Sequence, residues 1–356
     1  MEIKSNFNLK NLNTFNVNVF CHSYITINSR EDLYQLYSEN YFNDKHLILG
    51  GGSNVLFTKD YDGTVISLNL KGIDRLEDNL VEDNGLENNG TDKSIVLIKV
   101  YAGENWHNFV EYCLINDYYG LENLALIPGN IGAAPIQNIG AYGVEQNEFV
   151  YEIEAYNKQT NKIEIIDNVS CKFGYRDSIF KQLKSQNIDK YIIISVTYKL
   201  NLIDSPNLSY SELNNYLMNN NLEINAKNLF DCICKIRSSK LPDPMKIGNA
   251  GSFFKNPIVD EVLANQILEI DPINKKYLNE TKNGVNYYKL SAARLIEFAG
   301  LKGLRIGETG VSEKHSLVMV NYGNASGEEI NNLSNYVINK VNEVFGVILE
   351  KEVNII

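Results

Sequence analysis

No stretch of this chain stays apolar for the roughly 20 residues that a bilayer-spanning helix needs, so no membrane insertion is expected. Residues 1–12 (MEIKSNFNLKNL) lack the apolar centre of an export signal. Cysteine is sparse: five residues, Cys21, Cys113, Cys171, Cys232 and Cys234, odd in number and scattered. That excludes a disulfide framework and fits a reducing compartment, so a cytoplasmic location is expected. Histidine is scarcer still, at four, without ligand spacing, and the Cys232-x-Cys234 pair has no second pair to complete a zinc site. No metal is therefore expected. Positive charge is in deficit, with 33 Lys and Arg against 44 Asp and Glu for a net charge of −11. This argues against nucleic acid or an acidic membrane surface as the main partner, while leaving room for a local cationic phosphate site.

What is present is the composition of a folded protein, 44% hydrophobic and 22% charged over 356 residues. That length exceeds one ordinary core, and two or three domains are expected. The pattern alternates strands and helices. A strand ends at Ile27 and a helix follows over SREDLYQLYSEN with Ser29 as its N-cap. HLILGGGSNVLF then reads as strand, turn, strand. Residues 77–93 are acidic, rich in Asn and Gly, and poor in large apolar residues, which suggests an exposed hairpin tip or insertion. A strand at 95–102 leads into the amphipathic helix NWHNFVEYCLIND, and YEIEAYN, KIEIID and YIIISVTYKL alternate as strands. Residues 222–238 look helical before SSKLPDP breaks the chain. Beyond it lie the helices DEVLANQILE, SAARLIEFAG and GEEINNLSNYVINKVNEVF, the strands GSFFKN and LVMVN, and a last strand VILEKEVNII.

Two glycine-rich segments carry chemistry. Gly50, Gly51 and Gly52, with Ser53 and Asn54, can gather backbone N–H groups into a nest for phosphate oxygens. This is neither a Rossmann nor a Walker pattern, and a plain glycine hairpin turn is the bland alternative. The loop PGNIGAAPIQNIGAYG, 128–143, strips side chains from Gly129, Gly132, Ala133, Gly140 and Gly143 yet stays apolar enough to be buried. Its backbone groups then need partners, which a flat ring or pyrophosphate would provide. FGYRDSIFK sets Tyr175 beside Arg176. GNAGSFFKNP brackets Ser252 and Asn256 with small residues. LEKEV offers Glu350 and Glu352 on one face of the last strand, and an inward carboxylate there requires a partner.

The order of GGGSNVLF, GENWHNFVEYCL, GLENLALIPGNIGAAPIQNIGAYGVE, FGYRDSIFK, LSYSEL, SSKLPDP, GNAGSFFKNP, LKGLRIGETGVSEKHSLVMVN and LEKEV resembles the UDP-N-acetylenolpyruvoylglucosamine reductases, or UDP-N-acetylmuramate dehydrogenases. LSYSEL and SSKLPDP are similar to the type I subgroup, which keeps a tyrosine-bearing loop over its substrate. The resemblance implies an α+β chain in which a two-part flavin-binding region of the vanillyl-alcohol oxidase/PCMH type precedes a C-terminal α+β substrate domain. The expected division is 1–72 and 73–240 for FAD, the latter joined by 347–356, and 241–346 for substrate. It implies NADPH-dependent, FAD-mediated reduction of UDP-N-acetylglucosamine enolpyruvate to UDP-N-acetylmuramate in peptidoglycan synthesis, by a monomer. Arg176, Ser252 as proton donor and Glu352 would be catalytic. Non-covalent FAD would lie on Gly50, Gly51, Gly52, Ser53, Asn54, Pro128, Gly129, Ile131, Gly132, Ala133, Gln137, Asn138, Ile139, Gly140 and Gly143. Tyr142, Tyr175, Tyr210, Arg237, Lys240 and Asn256 would contact the substrate. The sequence departs from the family pattern in two places. Ala133 and Ala134 stand where many relatives have serines, and the chain stops at VNII without the usual Arg and Ile-Gly tail. The alternative is another FAD-dependent oxidase or dehydrogenase of this fold, although GGGSN lacks the neighbouring histidine that many such oxidases use to attach flavin.

Overall fold

The computed structural model describes residues 1–76 and 94–356. The insertion expected at 77–93 lies outside the described residues. The chain divides into two compact units, one of Met1–Asn6, His22–Gly51 and Asp62–Arg237, the other of Phe7–Cys21, Gly52–Tyr61 and Ser238–Ile356.

The first unit is built on two sheets. In one, the strands run in the order Glu2–Asn8, Phe20–Ile27, Tyr61–Leu68 and His46–Leu49. The helix Arg30–Ser38 packs on it, opened by a capping box in which the Ser29 hydroxyl accepts from the Asp32 N–H and the Asp32 carboxylate accepts from the Ser29 N–H. That box satisfies two N–H groups the first turn would otherwise leave unpaired. The other sheet runs Lys162–Asp167, Val150–Asn157, Tyr191–Asn201, Ile95–Tyr101 and Ile73–Arg75, with every pairing antiparallel. Its central strand, Tyr191–Asn201, is buried on both faces. One face meets helices Trp106–Ile115 and Ala226–Lys240 through Val196 and Tyr198, and the other meets the first sheet and its helix through Ile192 and Ile194. Double coverage explains why Ile192 to Tyr198 are all buried, Ser195 and Thr197 included, rather than alternating between core and solvent. The carboxylate of Glu154, buried on the neighbouring strand, is held by Arg30 at 2.5 Å, Lys99 at 2.8 Å and the Ser195 hydroxyl at 2.9 Å. Without such partners a carboxylate there would be strongly destabilising.

The second unit contains a sheet of Gly248–Ser252, Val318–Asn321, Thr309–Val311 and Arg305–Ile306, and a three-stranded sheet of Ile258–Asp260, Val285–Leu290 and Lys276–Lys282. The 19-residue helix Gly327–Phe345 opens with a Ser326–Glu329 capping box and closes at Gly346 in the left-handed conformation, a common C-terminal stop.

Two local expectations, at 222–238 and in the last strand, need correction. The strand–turn–strand expected over HLILGGGSNVLF is present, but its two strands do not pair with each other: His46–Leu49 pairs in parallel with Tyr61–Leu68, and Val55–Leu56 pairs in parallel with Asn354–Ile355. A turn that feeds two different sheets leaves its two ends free to diverge. The helix expected at 222–238 is Ala226–Lys240, so Ser238, Ser239 and Lys240 belong to its last turn and the break begins at Leu241. The last strand is regular only at Asn354–Ile355, with an isolated bridge from Lys351 to Phe254. Its alternation holds in part: Val347, Leu349 and Val353 are buried and Ile348, Glu350 and Asn354 exposed, while Lys351 and Glu352 are both half-buried.

Candidate active site

In the first unit the two glycine segments meet. A Cβ added at Gly50 would stand 3.0 Å from the Ala133 Cβ, one at Gly51 2.9 Å from the Gly129 Cα, and one at Gly132 2.6 Å from the Ala102 Cβ. Side chains are absent here because two backbones touch. Neither the Gly51 nor the Gly52 N–H donates to a carbonyl among the described residues. Two unspent amides at a Cβ-free surface fit the phosphates of a dinucleotide flavin. The 128–143 loop is not irregular throughout. Its middle is a 3-10 helix, Ile131–Gln137, stopped at Asn138, whose φ of 45° is left-handed. Gly129 accepts from the Trp106 N–H, Gly132 donates to Ala102 and Ile139 accepts from Gln146, which fixes the loop against the sheet.

Arg176 sits in a tight turn closed by the reciprocal bonds of Gly174 and Asp177 (3.0 and 3.1 Å). Its φ is 54°, an uncommon conformation for a bulky residue. Its guanidinium donates to the carbonyl of Gly140 at 2.9 Å and lies over the Tyr175 ring at 5.4 Å. Glycine at 140 leaves room for this approach, since a Cβ there would fall 2.9 Å from the Glu145 Cγ, 3.0 Å from the Val144 carbonyl oxygen and 3.2 Å from the Arg176 Nη1. Lys181 donates its ammonium to the Arg176 carbonyl at 2.9 Å, and Asn138 donates to Gly174, so the turn is docked on the 138–145 segment.

A second group gathers around Tyr142, whose φ is 50°. Its ring meets Tyr210 edge to face at 5.4 Å. Arg237, from the last turns of the helix Ala226–Lys240, is hydrogen-bonded to Tyr142, and its Nε is buried without a hydrogen-bond partner. Burial pushes the Tyr142 phenol up to about 12, Arg237 opposing it, and lowers the Arg237 pKa in the same way. A guanidinium left in this state is stabilised by an incoming anion. His107 stacks on Phe230 at 5.5 Å and 8°, and its Nδ1 accepts from the Leu126 N–H at 3.1 Å. Burial, assisted by Arg237 and opposed by Glu111, lowers its pKa. Neither His107 nor Asn123, a buried side chain behind Tyr142, stands out in the sequence. An isolated polar residue inside an apolar segment carries no periodic signal.

The second unit holds Ser53, Asn54, Lys240, Ser252, Asn256 and Glu352. Gly52 begins its part of the glycine turn at a φ of 65°, with no room for a Cβ because the Leu12 carbonyl would lie at 1.9 Å. Ser252 ends a strand and pairs with Val318. Immediately after it, the Glu352 N–H donates to the Phe253 carbonyl (2.8 Å) and the Lys255 N–H to that of Glu350 (2.9 Å). Asn54 reaches the Glu352 carbonyl at 3.3 Å, and Asn354 returns two bonds to the Asn54 carbonyl. Lys351 is clamped by Asn331 and Asn335, both at 2.7 Å. Glu350 is tied to Lys255. The Asn256 side chain accepts from Ala292 at the start of the helix Ala292–Phe298. Among the described residues no cluster of His, Cys, Asp or Glu is arranged for a metal, and no helix is long and apolar enough to cross a membrane.

Residues 23–163, which include both glycine segments, match the model of an FAD binding domain. Residues 243–356, with Ser252 and Glu352, match the C-terminal domain of UDP-N-acetylenolpyruvoylglucosamine reductase. The reductase of that name from Flavobacterium johnsoniae is 44% identical over the whole of both chains. The one from Shewanella sediminis is 42% identical over all of this chain and 97% of its own. The chain belongs to the UDP-N-acetylenolpyruvoylglucosamine reductase family. The crystal structure of UDP-N-acetylenolpyruvylglucosamine reductase from Thermus caldophilus shares the fold, with a TM-score of 0.64 at 22% identity over 99% of this chain and 98% of that one. Tyr175, Arg176, Tyr210, Arg237 and Lys240 fall between the two domain models, within the span that the full-length reductases of this family cover.

Proposed function

We infer that this chain performs its family's reaction, reducing the enol ether of UDP-N-acetylglucosamine enolpyruvate with NADPH to give UDP-N-acetylmuramate for peptidoglycan. The observation that carries the reading is the pairing of the close backbone contact at Gly50, Gly51, Gly129 and Gly132, where the Gly51 amide is unspent, with a buried, incompletely satisfied guanidinium at Arg237. The first suits a flavin dinucleotide and the second an anionic nucleotide. When bound, FAD supplies the hydride transfer from NADPH to the enolpyruvyl group. The glycine turn and the 128–143 loop hold it without a covalent bond. Arg176 stabilises the negative charge that develops next to the substrate carboxylate, in an orientation fixed by Gly140. The Ser252 hydroxyl donates the proton, and Glu352 shapes and hydrogen-bonds the same centre. Tyr142, Tyr175, Tyr210, Arg237, Lys240 and Asn256 bind the sugar nucleotide. In this reading 1–72 and 73–240, the latter joined by 347–356, serve FAD and 241–346 the substrate. The tyrosine-bearing LSYSEL segment supports the type I subgroup, and the chain works as a cytoplasmic monomer.

The test is direct. Acid precipitation should release all the flavin, and NADPH should be consumed beyond one equivalent per flavin only when the enolpyruvyl nucleotide is present, with UDP-N-acetylmuramate as product. Flavin retained in the pellet, or NADPH oxidation independent of the nucleotide, would instead favour an oxidase of the same fold.

A further inference from the structure

Asn123 lies in the 3-10 turn Glu122–Leu124 and is only 1% exposed. Its amide spends both hydrogens on two backbone carbonyls far apart in sequence, Tyr142 at 3.1 Å and Asn207 at 3.0 Å. The first belongs to a residue in the left-handed region, which persists only where its surroundings over-determine it. The second belongs to 202–209, a stretch without regular secondary structure that ends at Tyr210, the N-cap of the helix Ser211–Asn219. Within that stretch Asn207 makes its own short turn, its side chain accepting from the Ser209 N–H at 2.9 Å. The same stretch is pressed on the 142 turn elsewhere. A Cβ at Gly143 would come within 2.6 Å of the Ser209 Oγ, and the Tyr142 and Tyr210 rings meet edge to face. Tyr210 itself is 46% exposed.

We propose that Asn123 is a positioning residue for sugar-nucleotide binding, a latch that fixes the 202–210 segment and its Tyr210 against Tyr142. The inference rests on the reductase reading, because it takes Tyr142 and Tyr210 as substrate contacts. Asn123 touches neither flavin nor substrate in this account. It acts by holding the carbonyls of 142 and 207 at one distance, so that the Tyr142, Tyr210 and Arg237 groups face the nucleotide together.

Asn123→Asp keeps the shape and removes both donors, setting carboxylate oxygens against two carbonyls. Asn123→Ser retains one donor at shorter reach. In the holoenzyme the Asp variant should raise KM for the enolpyruvyl nucleotide about tenfold or more, the worth of one to two hydrogen bonds, with the Ser variant between it and the parent. Retention of FAD and the rate of flavin reduction by NADPH should not change. Amide hydrogen exchange over 202–210 should accelerate in both variants. Unchanged exchange there overturns the latch whatever the kinetics show. Losses of FAD or of NADPH reduction in proportion to the loss of sugar turnover also overturn it, leaving Asn123 a purely structural residue. If the Asp variant does not fold, the Ser variant decides by the same readouts. A parent enzyme that ignores the enolpyruvyl nucleotide sinks the functional reading instead, and the exchange measurement still judges the latch.

Discussion

The two units hold their functional residues by opposite means. In the first, Leu126, Asn138, Tyr142 and Arg176 all have positive φ without being glycine. In the second, the described non-glycine residues with positive φ are Asn16 and Asn283, both of a type that tolerates it. Conformations of this kind cost about 1–3 kcal/mol each, and Tyr142, Arg176 and Leu126 are each held by another residue's side chain. Asn123 holds the Tyr142 carbonyl, Lys181 that of Arg176, and the His107 ring accepts from the Leu126 N–H. The second unit places Ser252 and Glu352 on extended backbone, paired across 253–255 and 350–352 and stapled by Asn54, Asn331 and Asn335. A strained turn aims one side chain and needs a dedicated partner. A paired strand aims a residue through its neighbours and tolerates the loss of any one of them.

The sharpest break in that comparison is at Glu352. Glu352→Gln should lower sugar-nucleotide turnover on the order of 10²–10³-fold, the scale on which single charge-stabilising groups act, with folding and FAD intact. Glu350→Gln should turn over like the parent, because the Glu350 side chain is 69% exposed. The reverse outcome would mean that the other acid of LEKEV is the functional one.

In the first unit Arg237→Met should raise KM for the nucleotide roughly 10- to 100-fold, the value of a charge-assisted hydrogen bond lost from a buried site. Steady-state kinetics at fixed NADPH read this, and an unchanged KM would reduce Arg237 to a packing role.

The smallest effect concerns the Leu126 clamp. The folded pKa of His107 lies below its ordinary 6.5 because of burial. The unfolded chain therefore binds more protons than the folded one between those two values, and stability falls as pH drops from about 6.5 through the lowered value. Protonation would also turn the Nδ1 acceptor into a donor facing the Leu126 N–H. Urea melts from pH 7.5 to 5 should show this loss in the parent and a flatter profile in His107→Gln. Equal profiles would show that the clamp does not titrate.

Much of this was legible in the sequence. The capped helix at Ser29 announced itself by N-cap chemistry, and the glycine segments by their lack of side chains, whereas the caps Asp260, Ser291 and Ser326 emerged only in the structure. The alternation of the C-terminal segment separated Leu349 and Val353, which are buried, from Ile348, Glu350 and Asn354, which are exposed, but not Lys351 from Glu352, both half-buried. The partners of those segments were not legible. Nothing local shows that the turn at 50–54 parts two sheets, or that Val55–Leu56 pairs with Asn354–Ile355, some 300 residues away. The strain at Tyr142 and Arg176 was equally hidden, since a tyrosine and an arginine are not residues that signal left-handed backbone. Its clamps, Asn123 and Lys181, are imposed by tertiary packing alone.

The account assigns charge stabilisation to Arg176 in the first unit and proton delivery to Ser252 in the second, and half-reactions in Ser252→Ala separate the two. Mixed anaerobically with NADPH, this variant should lose its flavin absorbance at the parent rate, since no proton donor is needed there. On addition of the enolpyruvyl nucleotide the colour should return about 10²–10⁴-fold more slowly than in the parent. Return at the parent rate would contradict the assignment of the proton to Ser252, and with it the division of labour between the two units.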